Sequence, residues 1–165
     1  MVVIGFDPGS ISFGVGLLNV DKGKIDYLHS EEIKLKEPDF RLKMERLWKR
    51  LGEIYKGFSS DEAAIEEGFL GKNPRSMNMV AQVRGLVLGS LIHQSISMGI
   101  YSPREVKKAI TGNGNAAKAQ VARMIQILLN IKRKDLGNDE SDALAVAYCH
   151  ALSMNHEQKR HDIGN

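Results

Sequence analysis

The chain opens with two runs of apolar residues and glycines, "VVIGF" and "FGVGLLNV", followed by "KIDYLHSEEIKL"; all three read as strands. "DKGK" carries turn residues between the second and third, so the three are predicted to be consecutive and antiparallel. From Asp39 the period changes. Phe40, Met44, Leu47, Leu51 and Ile54 recur at steps of four and three, the pattern of an amphipathic helix, with Asp39 placed to cap it after Pro38. "SSDEAAIEE" leads into another short strand. A helix period then runs through "NPRSMNMVAQVRGLVLGSLIHQSISMG", with Pro74 near its start and Gly99 expected past its end. Its apolar surface is broader than one small sheet would cover. "IYSP" reads as a strand, "REVKKAI" as a short helix, "TGNGN" as a turn and "AAKAQVARMIQILLNI" as an amphipathic helix. After the polar loop "KRKDLGN", "DESDALAVAYCHALSM" reads as the last helix, and the polar residues 155–165 are expected to fray. Hairpin-linked strands followed by strands alternating with helices predict one α/β domain over residues 1–154, a mixed sheet with helices packed on it.

Bulk properties narrow the class without naming it. A chain of 165 residues, 42% hydrophobic and 26% charged, has the profile of one soluble globular domain. No run approaches the roughly 18 apolar residues of a membrane span, and Met1 leads into "VVIGF" without the basic flank of a secretory signal, so a cytoplasmic protein is expected. The single cysteine, Cys149, lies in an apolar run and reads as a small core residue. The net charge of +3 is a weak pointer to anionic partners, and it strengthens if several carboxylates are sequestered in a metal site.

Three places put acids against apolar runs. Asp7 ends the first strand, ahead of Pro8 and Gly9; Glu66 and Glu67 end the strand "AAIEE"; Asp139 and Asp142 stand three apart at the start of the last helix and share a face, with Glu140 pointing elsewhere. Singly these read as a turn, a solvated strand end and helix-capping acids. Jointly they make the donor set of a site for hard divalent cations. Two such ions can activate a water and stabilise the leaving oxygen of a phosphodiester, with no histidine or serine nucleophile. The five histidines are scattered and supply no ligand set.

"IGFDPGS", "AIEEGFLGKN", "QVRG", "SPREVKKAITGNGNAAKAQV" and "DESDALAVAYCH", in that order, together resemble the RuvC family of bacterial Holliday junction resolvases from Val2 to about His150. The resemblance implies a ribonuclease H-like fold, with a mixed five-stranded sheet and helices on both faces. It implies a homodimer that nicks four-way DNA junctions symmetrically, in recombination and repair, beside a branch-migration motor. Each subunit would use two Mg²⁺ ions, with Mn²⁺ as a substitute. By motif the catalytic and metal-binding acids would be Asp7, Glu66, Asp139 and Asp142, the choice of Glu66 over Glu67 resting on strand register. Phe69 matches the aromatic at the junction centre, where an exposed ring can stack on an unpaired base. Lys107 and Lys118 match basic residues near the scissile phosphate, and Arg75 is a further candidate for the DNA surface. Part of the long helix would form the dimer contact. Two rival readings are a junction-binding protein without cleavage, and an ATPase-like domain using "DPGS" as a phosphate loop.

Overall fold

The computed structural model describes residues 1–67, 73–133 and 135–163. Five strands, β1 (Val2–Pro8), β2 (Ser12–Asp21), β3 (Lys24–Lys34), β4 (Glu62–Glu66) and β5 (Ser97–Tyr101), form one sheet in the order β3-β2-β1-β4-β5. The two hairpins are antiparallel, as their sequences predict, and β4 and β5 add parallel to β1. Lys22 and Gly23 close the second hairpin with φ of 48° and 83°, the left-handed pair that a two-residue turn between twisted strands requires.

Alternation along β1 divides the molecule. Ile4 and Phe6 face α1 (Phe40–Gly57) and α2 (Pro74–His93), in a core with Leu47, Leu51, Val83 and Leu91. Val3 faces α3 (Pro103–Thr111), α4 (Lys118–Leu128) and α5 (Asn138–Ile163), in a second core with Val106, Val121, Ile125 and Leu144. Helices therefore cover both faces of a mixed sheet, an α/β ribonuclease H-like fold. Local chemistry sets the helix starts. Asp39 caps α1 through Leu42 N–H, Asn73 caps α2 ahead of Pro74, and Ser102 and Glu105 form a capping box around Pro103 in α3.

Two boundaries differ from expectation. Helix α2 stops at His93, six residues before Gly99, because Ser95 takes a left-handed φ of 57° while Ile96 and Ser95 donate to the carbonyls of Leu91 and Ile92. This is a Schellman closure with serine where glycine is usual, so the stop signal is absent from the sequence. The freed residues 97–101 pair along β4 instead. Helix α5 continues past the apolar stretch to Ile163, with no glycine or proline to interrupt "NHEQKRHDI". No helix among the described residues is long and apolar enough to cross a membrane.

The last helix lies on the sheet almost backbone to backbone. A Cβ on Gly5 would strike the Ala143 carbonyl oxygen, one on Gly14 the Asp139 carbonyl oxygen, and one on Gly16 would fall 2.7 Å from the Leu144 nitrogen. These glycines leave room for the helix axis and so fix where its first turn sits. His150 ties the middle of the helix to the sheet, its Nδ1 2.8 Å from the Tyr101 hydroxyl and its Nε2 3.3 Å from Glu62.

Gly14→Ala and Gly16→Ala should each destabilise the protein by about 1–3 kcal/mol or more, because backbone rather than a flexible side chain must yield. Gly52→Ala, within α1 where a Cβ meets nothing, should be neutral or stabilise by up to about 1 kcal/mol. Urea unfolding of the three variants measures the contrast.

Candidate active site

Asp7 is the next residue after Gly5 on the α5 face of β1, and Glu66 holds the corresponding place at the end of β4, two beyond Ala64. Glu67 has the opposite parity and is exposed, so register selects Glu66 from the pair. From above, the first turn of α5 brings Asp139 and Asp142 down on the same point. Asp7, Asp139 and Asp142 each offer an oxygen, and the three oxygens lie within 4.8 Å of one another. Glu66 stands outside that triad. It lines an adjoining cleft of about 440 Å³, together with Asp142, Lys107 from α3, Lys118 from α4 and an apolar floor that includes Val106 and Val121.

The cluster is electrostatically unbalanced. Burial, then the charges of Asp142, Glu66 and Asp139, push the Asp7 carboxyl up to about 7, against the pull of Lys118. Glu66 is raised by burial and by Asp142, opposed by the two lysines. Asp142 is raised by burial and by Asp139, although Lys118 Nζ lies 2.5 Å from its Oδ2 and draws it down. Lys118 is raised in turn: burial disfavours its charge, but the bond to Asp142 and the charges of Asp142, Asp7 and Asp139 outweigh that. Glu140 is a different case. It accepts from Arg133 at 2.5 Å, the Gly137 N–H at 2.8 Å and Ser30 at 3.0 Å. Burial opposes its charge, yet these donors hold its carboxyl below the usual range, so it anchors the loop before α5 and stays out of the site.

Carboxylate oxygens that are part-buried, mutually repelling and set at one point fit a hard divalent cation, whose charge would remove the penalty they now bear. Asp7, Asp139 and Asp142 are placed to hold it, with Glu66 at the margin.

The sequence-predicted residues are thus largely brought together: three acids in one cluster, Glu66 beside it, and Lys107 and Lys118 on its wall. Arg75 is exposed in the first turn of α2, its N–H bonded to Asn73. That turn reaches the active-site loop through Ser76, whose Oγ lies 3.1 Å from Ser10 Oγ. Phe69 lies outside the described residues. Two hydrogen bonds were not anticipated: this serine pair, and that of Ser12, whose hydroxyl donates to Oδ2 of Asp139. The Ser12-x-Gly14-x-Gly16 alternation could have placed Ser12 on the α5 face.

The family model of crossover junction endodeoxyribonuclease RuvC matches residues 3–150. Curated RuvC relatives include one from Polynucleobacter necessarius, 43% identical across 90% of this chain and 86% of its own length, and one from Christiangramia forsetii, 37% identical across 90% and 78%. Among solved structures, Thermus thermophilus RuvC in complex with Holliday junction substrate superposes with a TM-score of 0.87 at 31% identity, over 95% of this chain and 96% of that one. The fowlpox virus resolvase shares the fold, with a TM-score of 0.62 at 12% identity over 93% and 99%. With its acids gathered at one end of the sheet and a match across nearly its whole length, the chain belongs to the RuvC family of crossover junction endodeoxyribonucleases.

Proposed function

We propose that this protein is a Holliday junction resolvase that hydrolyses phosphodiester bonds with two Mg²⁺ ions, replaceable by Mn²⁺, and makes paired nicks as a homodimer. The observation that carries the reading is the triad of Asp7, Asp139 and Asp142, with lysines on one flank and a family-wide match around it. The exclusively carboxylate donor set favours Mg²⁺ or Mn²⁺ over softer metals. Bound there, the cations would lower the pKa of an attacking water and stabilise the charge on the leaving oxygen.

The chain's own residues supply the rest. Asp7, Asp139 and Asp142 would hold the cations, and Glu66, on the cleft side, would complete the set. Lys107 and Lys118 line the cleft beside the acids and draw the scissile phosphate toward them, and a cation held by Asp142 would leave Lys118 free to bond phosphate. Phe69, the match to the family's aromatic, serves the junction centre, and the exposed Arg75 adds to the phosphate-facing surface. The dimer contact falls on α2, where Ile92 is 70% exposed, next to Trp48 of α1, 46% exposed and with its ring 6.3 Å from that of His93. The same reading makes a branch-migration motor the partner of the pathway.

End-labelled four-way junctions with a mobile core, incubated with Mg²⁺ or chelator and resolved on a denaturing gel, test this directly. Symmetric nicks that require metal are expected, with linear duplex uncut; junction binding without nicks under any metal would leave a binding module. Asp7→Asn should lower nicking by more than about a hundredfold, since even an outer-shell partner can cost that much, while junction binding in a mobility shift persists. Metal-free stability should follow the Asp7 carboxyl. A folded-state pKa raised from 3.8 to about 7 gives stability that is full below the unfolded value and is lost as pH rises through 7. In chelator, Asp7→Asn should therefore match the parent near pH 4 and exceed it at pH 8 by on the order of 2–4 kcal/mol, read from urea midpoints. Lys107→Ala should reduce the slope of log binding constant against log salt by about one, the value for a side chain that neutralises a single phosphate; an unchanged slope would remove Lys107 from the phosphate surface.

A further inference from the structure

Strand β2 holds Asp139 twice. Its Gly14 admits the main chain: a Cβ there would collide with the Asp139 carbonyl oxygen and lie 3.2 Å from the Asp139 Cβ. One alternation earlier on the same face, the Ser12 hydroxyl donates to the Asp139 carboxylate at Oδ2. Ser12 is itself fixed, paired with Lys34 of β3 at the first position of β2, so the donor stands on a sheet and not on a loop.

This bond differs in kind from the one on Asp142. Lys118 pairs with Asp142 as a cation and competes with any metal for it. The Ser12 hydroxyl is neutral, engages one oxygen, and leaves the other oxygen and the charge of Asp139 available. An aspartate carboxylate turns freely about a broad torsion, and among like charges it gains by turning away toward water. A single hydroxyl donor anchored on the strand removes that freedom before a cation arrives.

We infer that Ser12 is a positioning residue for the metal site, its hydroxyl orienting the Asp139 carboxylate toward Asp7 and Asp142. This rests on the metal-dependent reading above. Outer-shell partners of this kind change metal affinity by about 10–100-fold.

Mn²⁺ binding to the DNA-free protein, followed by the electron paramagnetic resonance of the unbound ion, tests it without reference to cleavage. Thr and Val share a shape and differ by the hydroxyl, so Ser12→Thr and Ser12→Val form the deciding pair. Ser12→Val and Ser12→Ala should bind Mn²⁺ at least about 10-fold more weakly than the parent, and Ser12→Thr within about threefold of it. Thermal midpoints in chelator should be similar for the Thr and Val proteins. Equal affinity of the Thr and Val proteins would overturn the inference, and should branching at this position unfold both, parental affinity in Ser12→Ala would overturn it equally. A parent protein that binds no Mn²⁺, or that binds it unchanged after Asp139→Asn, would overturn the metal-dependent reading itself.

Discussion

The seating of α5 directly on the backbone of β1 and β2 is the contact from which the active site follows. Gly5, Gly14 and Gly16 give the helix nowhere to meet a side chain, and Ala143 and Ala147 keep its underside equally low. A helix held off by ordinary side chains would carry Asp139 and Asp142 beyond reach of Asp7. Close approach sacrifices apolar burial along the line where helix and sheet meet. Residues to either side restore it: Leu144, Val146 and Cys149 bury against α3, α4 and the outer strands in one continuous core.

That seat lets the fold carry an electrostatic conflict. Burial first, and then the charges of neighbouring acids, raise the carboxyls of Asp7, Glu66 and Asp142, so the cluster opposes folding. Lys118 relieves part of the conflict from outside, across an interface between α4 and α5. The other face of the sheet, with its separate core of Phe6, Phe13, Leu47 and Leu91, contributes nothing to the cluster and is free to supply stability. The same imbalance that costs stability would favour a cation at this point, and a cation bound there would stabilise the fold as it loads.

Much of this was legible in the order of residues. Strand and helix periods gave the hairpins, the alternation with helices and the mixed sheet, because one buried face leaves a clean pattern. The four acids stood out since each follows or precedes an apolar run, and parity alone distinguishes Glu66 from Glu67. What escaped lacked a local sign. The end of α2 depends on Ser95 accepting a left-handed conformation, which sequence assigns to glycine, and on an edge of β4 waiting for residues 97–101. The bonds from Ser12 to Asp139 and from Ser76 to Ser10 join residues 127 and 66 positions apart, and only the assembled sheet and helices create them.

The site's position has a topological reason as well. Strand β1 has an antiparallel neighbour on one side, β2, reached by a tight turn, and a parallel one on the other, β4, reached only after α1 has crossed the sheet. At the carboxyl end of β1 the chain must therefore leave in one direction while β4 departs in another, and open sheets take their ligands at such a divergence. Asp7 and Glu66 occupy the two diverging ends, and the turn after Asp7 is kept tight by Gly9, where a Cβ would strike the Ser12 carbonyl oxygen. A wider turn would fill the opening with its own atoms. The tight one leaves the acids facing outward and brings Ser12, the first residue of β2, back beneath Asp139, so the glycine that closes the turn also sets where the strand carrying that hydroxyl begins.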